Sequence, residues 1–129
     1  MTQEKAVKIW VDGSVDALDT CDTLFRNKKY HHSLFFLHLA LEKIMKALYI
    51  SKFDTSPPYI HDLKQIAKIT IIKVDKVELS QLKEISEFNV SARYDDYKYK
   101  IFKRATLEYT KRWIKVGKKL YEKYKKDCR

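Results

Sequence analysis

Along most of this chain, apolar residues recur three or four positions apart, the spacing that places side chains on one face of an α-helix. Residues 4–29 show this spacing first, with acidic residues on the opposite side. Residues 30–52 repeat it with the most apolar stripe of the chain, formed by Leu34, Leu37, Leu41, Ile44 and Leu48. The pattern therefore predicts two consecutive helices, of which the second is the more buried.

In the middle of the chain, loops interrupt the helical pattern of apolar residues. Pro57 and Pro58 predict a loop, because proline cannot continue a helix and restricts the residue before it. A short helix is predicted to begin near Asp62 or His61, both placed to cap it. Residues 69–74 look β-like but have no second strand to pair with, so they are interpreted as a helix end and a loop. Residues 76–92 predict a further helix.

Residues 99–126 carry the last periodic stretch and predict one helix of about seven turns. A polar and aromatic connector, residues 93–97, precedes it. Because most connections are short, consecutive helices are expected to pack antiparallel. The sequence thus predicts an all-α protein, an up-and-down antiparallel bundle of four to five helices that forms a single domain over residues 1–129.

Composition supports the all-α fold and indicates the cellular compartment of the protein. With only two glycines and two prolines in 129 residues, breakers are scarce, which favours long helices over a many-turned β fold. No apolar run approaches the roughly 18–20 residues that span a bilayer, and acidic residues occupy the region where an export signal would be basic and then apolar. The two cysteines are far apart and form no paired motif. We expect a cytoplasmic protein with free thiols and no membrane segment.

The positive charge is concentrated at one end of the chain. Residues 1–97 contain 14 Lys and Arg against 14 Asp and Glu, so the net charge of +10 comes entirely from residues 98–129. Such a helix is typical of a surface that binds a polyanion, RNA above all. The alternatives are that these cations only solvate an amphipathic helix, or that the helix lies on a membrane surface.

The sequence contains few residues arranged to bind a metal or a cofactor. His38 and Glu42 have the i,i+4 spacing of two ligands on one helix face, but no third ligand is apparent. The interpretation we favour is that the two side chains hydrogen-bond each other or a neighbouring helix. Glycine-rich phosphate loops and serine-hydrolase motifs are missing from the sequence. The sequence therefore predicts no metal site and no cofactor.

Three segments together resemble one known family. Residues 30–48 resemble the second-helix signature of the HEPN domain (higher eukaryotes and prokaryotes nucleotide-binding). His61-Asp62-Leu63 is similar to that family's histidine-aspartate-leucine element, and residues 88–97 resemble its later connector of the form arginine-tyrosine-x-aspartate-tyrosine. The order and spacing of these segments match over nearly the whole chain.

The resemblance implies a helical bundle, usually a homodimer, that is often the partner of a minimal nucleotidyltransferase in toxin-antitoxin or defence pairs. Many relatives are metal-independent ribonucleases that use an arginine followed a few residues later by a histidine. The cation stabilises charge on the scissile phosphate, while imidazole, with a pKa near neutrality, moves protons.

This chain departs from that ribonuclease pattern. No histidine follows Arg93, and Tyr97 or Tyr99 occupies the spacing. A tyrosine is a poorer proton shuttle at neutral pH, because its usual pKa is near 10. A formal match occurs elsewhere, where Arg26 is followed after four residues by His31 and then His32. Its position at the start of the second helix makes coincidence the simpler interpretation.

The leading hypothesis is a non-catalytic or weakly catalytic HEPN module that binds a nucleotide or RNA and docks on a nucleotidyltransferase. Its predicted binding residues are Arg93 on phosphate, Asp95, Asp96 and Tyr97 beside it, Glu42 and Lys46 lining the same groove, and Lys100, Lys103 and Arg104 on the last helix. An ordinary alternative is that Arg93 and its acidic neighbours only cap helices and pair on the surface. The competing hypotheses are a ribonuclease toxin, using Arg93 with a substitute for histidine or Arg26 with His31 or His32, and a bundle that only binds other proteins.

Overall fold

A computed structural model describes residues 1–89 and 95–128, and of residues 95–98 it describes the backbone only. The described residues form six helices and no strands, which confirms the all-α class. They are α1 (Gln3–Arg26), α2 (Tyr30–Phe53), α3 (Leu63–Ile69), α4 (Lys76–Ser86), α5 (Asp95–Arg104) and α6 (Leu107–Asp127).

Side-chain caps begin four of these helices. Thr2, Asp62, Asp75 and Thr106 each lie just before a helix and accept hydrogen bonds from backbone N–H groups of its first turn. These N–H groups have no partner within the helix, so each cap stabilises its helix by about 1 kcal/mol. The cap by Asp62 is one of the two predicted alternatives.

Helix α2 lies at the centre of the bundle. Its stripe residues, Leu34, Leu37, Leu41, Ile44 and Leu48, are at most 1% exposed. Helix α1 runs antiparallel to it, since Gln3 Nε2 donates to Ile50 O at 2.8 Å at one end and Ser33 Oγ donates to Cys21 O at 2.8 Å at the other.

Helix α6 crosses α2 at very close range. A Cβ atom added to Gly117 would lie 2.6 Å from a methyl carbon of Leu37, so only glycine allows this approach. Helix α6 also reaches α1, where the Ser14 and Tyr121 hydroxyls are 2.8 Å apart, and α4, where Tyr124 donates to Glu78 at 2.6 Å. The last helix is thereby held against three others.

Two predicted helices differ in extent from those of the structure. The helix predicted over residues 99–126 is two helices, because the backbone leaves the helix after Arg104 and Thr106 caps a new one. This break raises the number of helices to six, and the backbone of Asp95, Asp96 and Tyr97, predicted as connector, already begins α5. The helix predicted over residues 76–92 ends at Ser86, where hydrogen bonds of the tighter i+3 type turn Phe88 into the core.

Candidate functional site

One side of α6 presents a row of cations to solvent. The helix is amphipathic, with residues such as Trp113, Gly117, Leu120 and Tyr124 buried against the bundle. The exposed cations of this helix, which we call the basic face, are Lys111, Arg112, Lys115, Lys119, Lys125 and Lys126. Glu108 and Glu122 are the acidic residues among them. Six of the cations that produce the charge excess are therefore displayed on one helix surface.

Other cations of this end of the chain hold the bundle together. Lys118 Nζ lies 2.8 Å from an Asp22 carboxylate oxygen on α1, and Lys123 Nζ lies 2.7 Å from Glu78 on α4. These pairs join α6 to its neighbours, so these two cations stabilise the bundle and do not face a polyanion freely. Part of the excess is structural, whereas the cations of the basic face remain directed to solvent.

Arg104, predicted to bind a nucleotide or RNA, lies in an ion-pair cluster. Its Nη1 donates to Glu84 at 3.3 Å and to Glu87 at 3.0 Å. The hydrogen bond to Glu87 is the main cause of a raised pKa for Arg104. Tyr109 from α6 also donates to Glu84, and burial together with this hydrogen bond raises the Tyr109 pKa. Arg104 thus ties α5 and α6 to α4, and a role in binding stays a prediction.

Helix α5 places Lys100 and Lys103 in solvent, as their predicted role requires. Two aromatic side chains, Tyr99 and Phe102, are exposed beside them, and Lys103 Nζ lies 5.2 Å from the centre of the Tyr99 ring. The His31 ring from α2 packs edge-on to Phe102 with centroids 5.0 Å apart. Burial lowers the pKa of His31, with a smaller contribution from neighbouring cations.

A second candidate site lies on the other side of the bundle, around a buried carboxylate. Glu42 is 5% exposed, and Lys46 Nζ lies 3.0 Å from its Oε2. His61, from the loop before α3, donates from Nδ1 to the same carboxylate at 3.0 Å. His38 donates from Nε2 to the His61 carbonyl at 3.0 Å, so the helix holds the loop by both side chain and backbone.

This cluster lies at a groove of about 770 Å³ between α1, α2 and the Pro57-Pro58 loop. Lys46 Nζ lies 5.8 Å from the Trp10 ring and 5.9 Å from the Tyr59 ring, an arrangement in which two aromatic faces stabilise one buried cation. Glu42 and Lys46 thus line a groove as predicted, yet their charges neutralise each other. Their binding role stays a prediction.

The remaining predicted residues are placed only in part. Arg93 lies outside the described residues, as do the side chains of Asp95, Asp96 and Tyr97. Arg26 ends α1, where its guanidinium donates to Thr23 at 3.3 Å. His31 and His32 begin α2 across a short turn, with ring centroids 4.0 Å apart. Within the described ranges, no three His, Cys, Asp or Glu side chains are grouped as metal ligands would be.

The bond between Glu42 and His61 is the feature that sequence reasoning missed. The spacing of His38, Glu42 and Lys46 put three polar groups on one helix face. The histidine-aspartate-leucine element separately predicts a loop and a helix cap. Nothing in the spacing indicates that a residue 19 positions away would meet Glu42, although a buried carboxylate on an apolar helix requires partners.

Comparison with protein families identifies the family of this chain. The family model of the HEPN domain matches residues 7–127. This chain belongs to the HEPN domain family. The match includes the basic face and Glu42, Lys46 and His61 at the groove. It confirms the resemblance inferred from residues 30–48 and supports a function related to nucleotides or RNA in general. Comparison with curated proteins and with solved structures gives no match. No helix in the described part of this HEPN chain is long and apolar enough to cross a membrane.

Proposed function

We propose that this HEPN protein binds RNA along the basic face of α6 and acts as the partner of a minimal nucleotidyltransferase. The observation that carries the RNA-binding part is the row of exposed cations on one side of a single helix. Lys111, Lys115 and Lys119 follow one another at intervals of four residues, about 6 Å along the axis. That interval is comparable to the separation of neighbouring phosphates on one nucleic-acid strand.

Binding of this kind is driven by the release of counterions from the phosphate backbone. Each lysine or arginine that contacts a phosphate displaces condensed ions, so affinity falls steeply as salt increases. Contacts to phosphate position the RNA but do not read its bases. The basic face therefore supports affinity for RNA without strong sequence preference.

Titration of RNA at several salt concentrations tests this proposal. Replacing Lys111, Lys115, Lys119 and Lys126 together by glutamine removes four charges, and should reduce the slope of log affinity against log salt by about 3 for a single strand. The matched control replaces four exposed lysines on α3 and α4 by glutamine, which lowers the net charge equally. Its residues are Lys64, Lys68, Lys76 and Lys83. Equal loss in both variants, or salt-independent binding by the original protein, would contradict the proposal.

The partnership with a nucleotidyltransferase rests on membership of the HEPN family, many of whose members are encoded beside one. We propose that the pair belongs to a toxin-antitoxin or defence system and that this subunit is a homodimer within it. An adjacent small nucleotidyltransferase reading frame, co-expressed with this chain, should co-elute with it in size-exclusion chromatography. Separate elution of the two proteins at micromolar concentration would count against the partnership.

A further inference from the structure

Two aromatic rings stand in solvent on α5, one helical turn apart. Tyr99 is 57% exposed and Phe102 is 56% exposed. Their rings are 21° from parallel with centroids 6.5 Å apart, and His31 supports Phe102 from the side. We call Tyr99, Phe102 and His31 the aromatic ridge. Large aromatic side chains bury favourably, so two on one exposed turn indicate a surface that something else covers.

The composition around the ridge indicates what covers it. The described α5 side chains that are exposed are Tyr99, Lys100, Phe102 and Lys103, so aromatic rings and ammonium groups alternate. Lysine is depleted in the cores of protein–protein interfaces, whereas lysines interleaved with aromatic rings are typical of surfaces that bind single-stranded nucleic acid. The cations attract the backbone, and the rings offer faces on which bases stack.

We infer that the aromatic ridge stacks unpaired bases, so that the protein prefers single-stranded RNA to duplex RNA. This inference rests on the proposed function and adds the class of RNA bound. Bases within a duplex are already stacked on each other and are not available to a side chain, whereas bases of a single strand can splay outward. The ridge lies on the helix that directly precedes α6 in the chain, and we expect one strand to reach both the ridge and the basic face.

The test compares binding of one non-self-complementary RNA oligonucleotide with binding of its duplex, measured by fluorescence anisotropy. Phe102→Leu should weaken single-strand binding by about tenfold, the order of the loss when one stacked base loses its ring. Its duplex affinity and the salt dependence of binding should stay unchanged. Phe102→Tyr should keep the single-strand affinity. Phe53→Leu, which removes a 41% exposed aromatic ring at the end of α2, is the matched control and should change neither affinity.

The outcomes separate this inference from the function on which it rests. If the original protein binds no RNA, both fail. If binding is salt-dependent and falls with the basic-face substitutions, but single-stranded and duplex RNA bind equally and Phe102→Leu has no effect, the inference alone is overturned. It is also overturned if Phe102→Leu turns a dimer into a monomer in analytical ultracentrifugation and weakens both forms of RNA equally, because the ridge would then be a contact between two copies.

Discussion

Replacing Glu42 by glutamine is expected to destabilise this protein severely, although the side chain keeps its size. Glu42 is the anionic partner of Lys46, whose side chain is 5% exposed. Glutamine can still accept a hydrogen bond from His61, so the substitution removes little except the negative charge. It leaves a buried ammonium group without its counter-charge.

The magnitude follows from the burial of both groups. Removing one member of a buried pair typically costs about 3–5 kcal/mol, because the remaining charge is desolvated and unpaired. Contacts of Lys46 with the Trp10 and Tyr59 rings persist and offset part of this loss. We therefore expect Glu42→Gln to lower the free energy of unfolding by about 3 kcal/mol, a large share of the roughly 5–15 kcal/mol of a typical domain.

Urea unfolding followed by far-ultraviolet circular dichroism measures this loss, which should lower the midpoint by about 1–3 M. The double variant Glu42→Gln with Lys46→Met removes both charges and should regain most of the stability, since an apolar side chain needs no counter-charge. Asp12→Asn is the control, because it breaks the exposed i,i+4 pair with Lys8, at 2.7 Å, and should have little effect. A loss below about 1 kcal/mol for Glu42→Gln, or a double variant as unstable as the single one, would refute the reasoning.

Two further predictions concern the core. Gly117→Ala should destabilise the protein by about 1–3 kcal/mol in the same urea assay, because the added methyl group overlaps Leu37. Gly13→Ala is the control and should be neutral or slightly stabilising, because its methyl group meets only the flexible end of a lysine. Equal effects of the two substitutions would show that the close approach of α6 to α2 does not affect stability. Burial lowers the pKa of His38, and its buried Nδ1 has no hydrogen-bond partner among the described residues. Below pH 6.5 the unfolded chain therefore takes up a proton at His38 that the folded chain does not. Stability should therefore decrease as the pH falls from 6.5 towards 5, and His38→Gln should weaken that dependence. An unchanged pH profile in His38→Gln would contradict this origin.

Sequence patterns within a few residues predict the parts of this fold that depend only on neighbouring residues in the chain. The stripe on α2 and the loop at Pro57-Pro58 each depend on spacing or on proline chemistry within a few residues, and the structure has both. The β-like run of residues 69–74 has no second strand to pair with, which predicts a helix end and a loop, and α3 does end at Ile69. Its Ile71 adopts a φ of 56°, a left-handed conformation that a β-branched residue rarely takes and that its sequence gives no reason to expect.

The features that were missed depend on tertiary packing. The backbone leaves α5 after Arg104 and Thr106 caps α6, in a stretch whose apolar period continues almost unbroken, so the pattern predicts a single helix. Phe88 leaves the helical path without glycine or proline because it is buried in the core. The bond between His61 and Glu42 joins two elements across a loop, and spacing along a sequence contains no information about which loop returns to which helix.

The uneven distribution of charge has a consequence for how this molecule moves towards a partner. With no net charge over residues 1–97 and +10 beyond them, the protein has a permanent electric dipole whose positive end is the α5–α6 side. In the field of a polyanion such a molecule rotates during diffusion, so most encounters begin with that side leading. Orientation before contact raises the association rate more than it slows dissociation, and the effect vanishes once salt shortens the Debye length to a few ångströms.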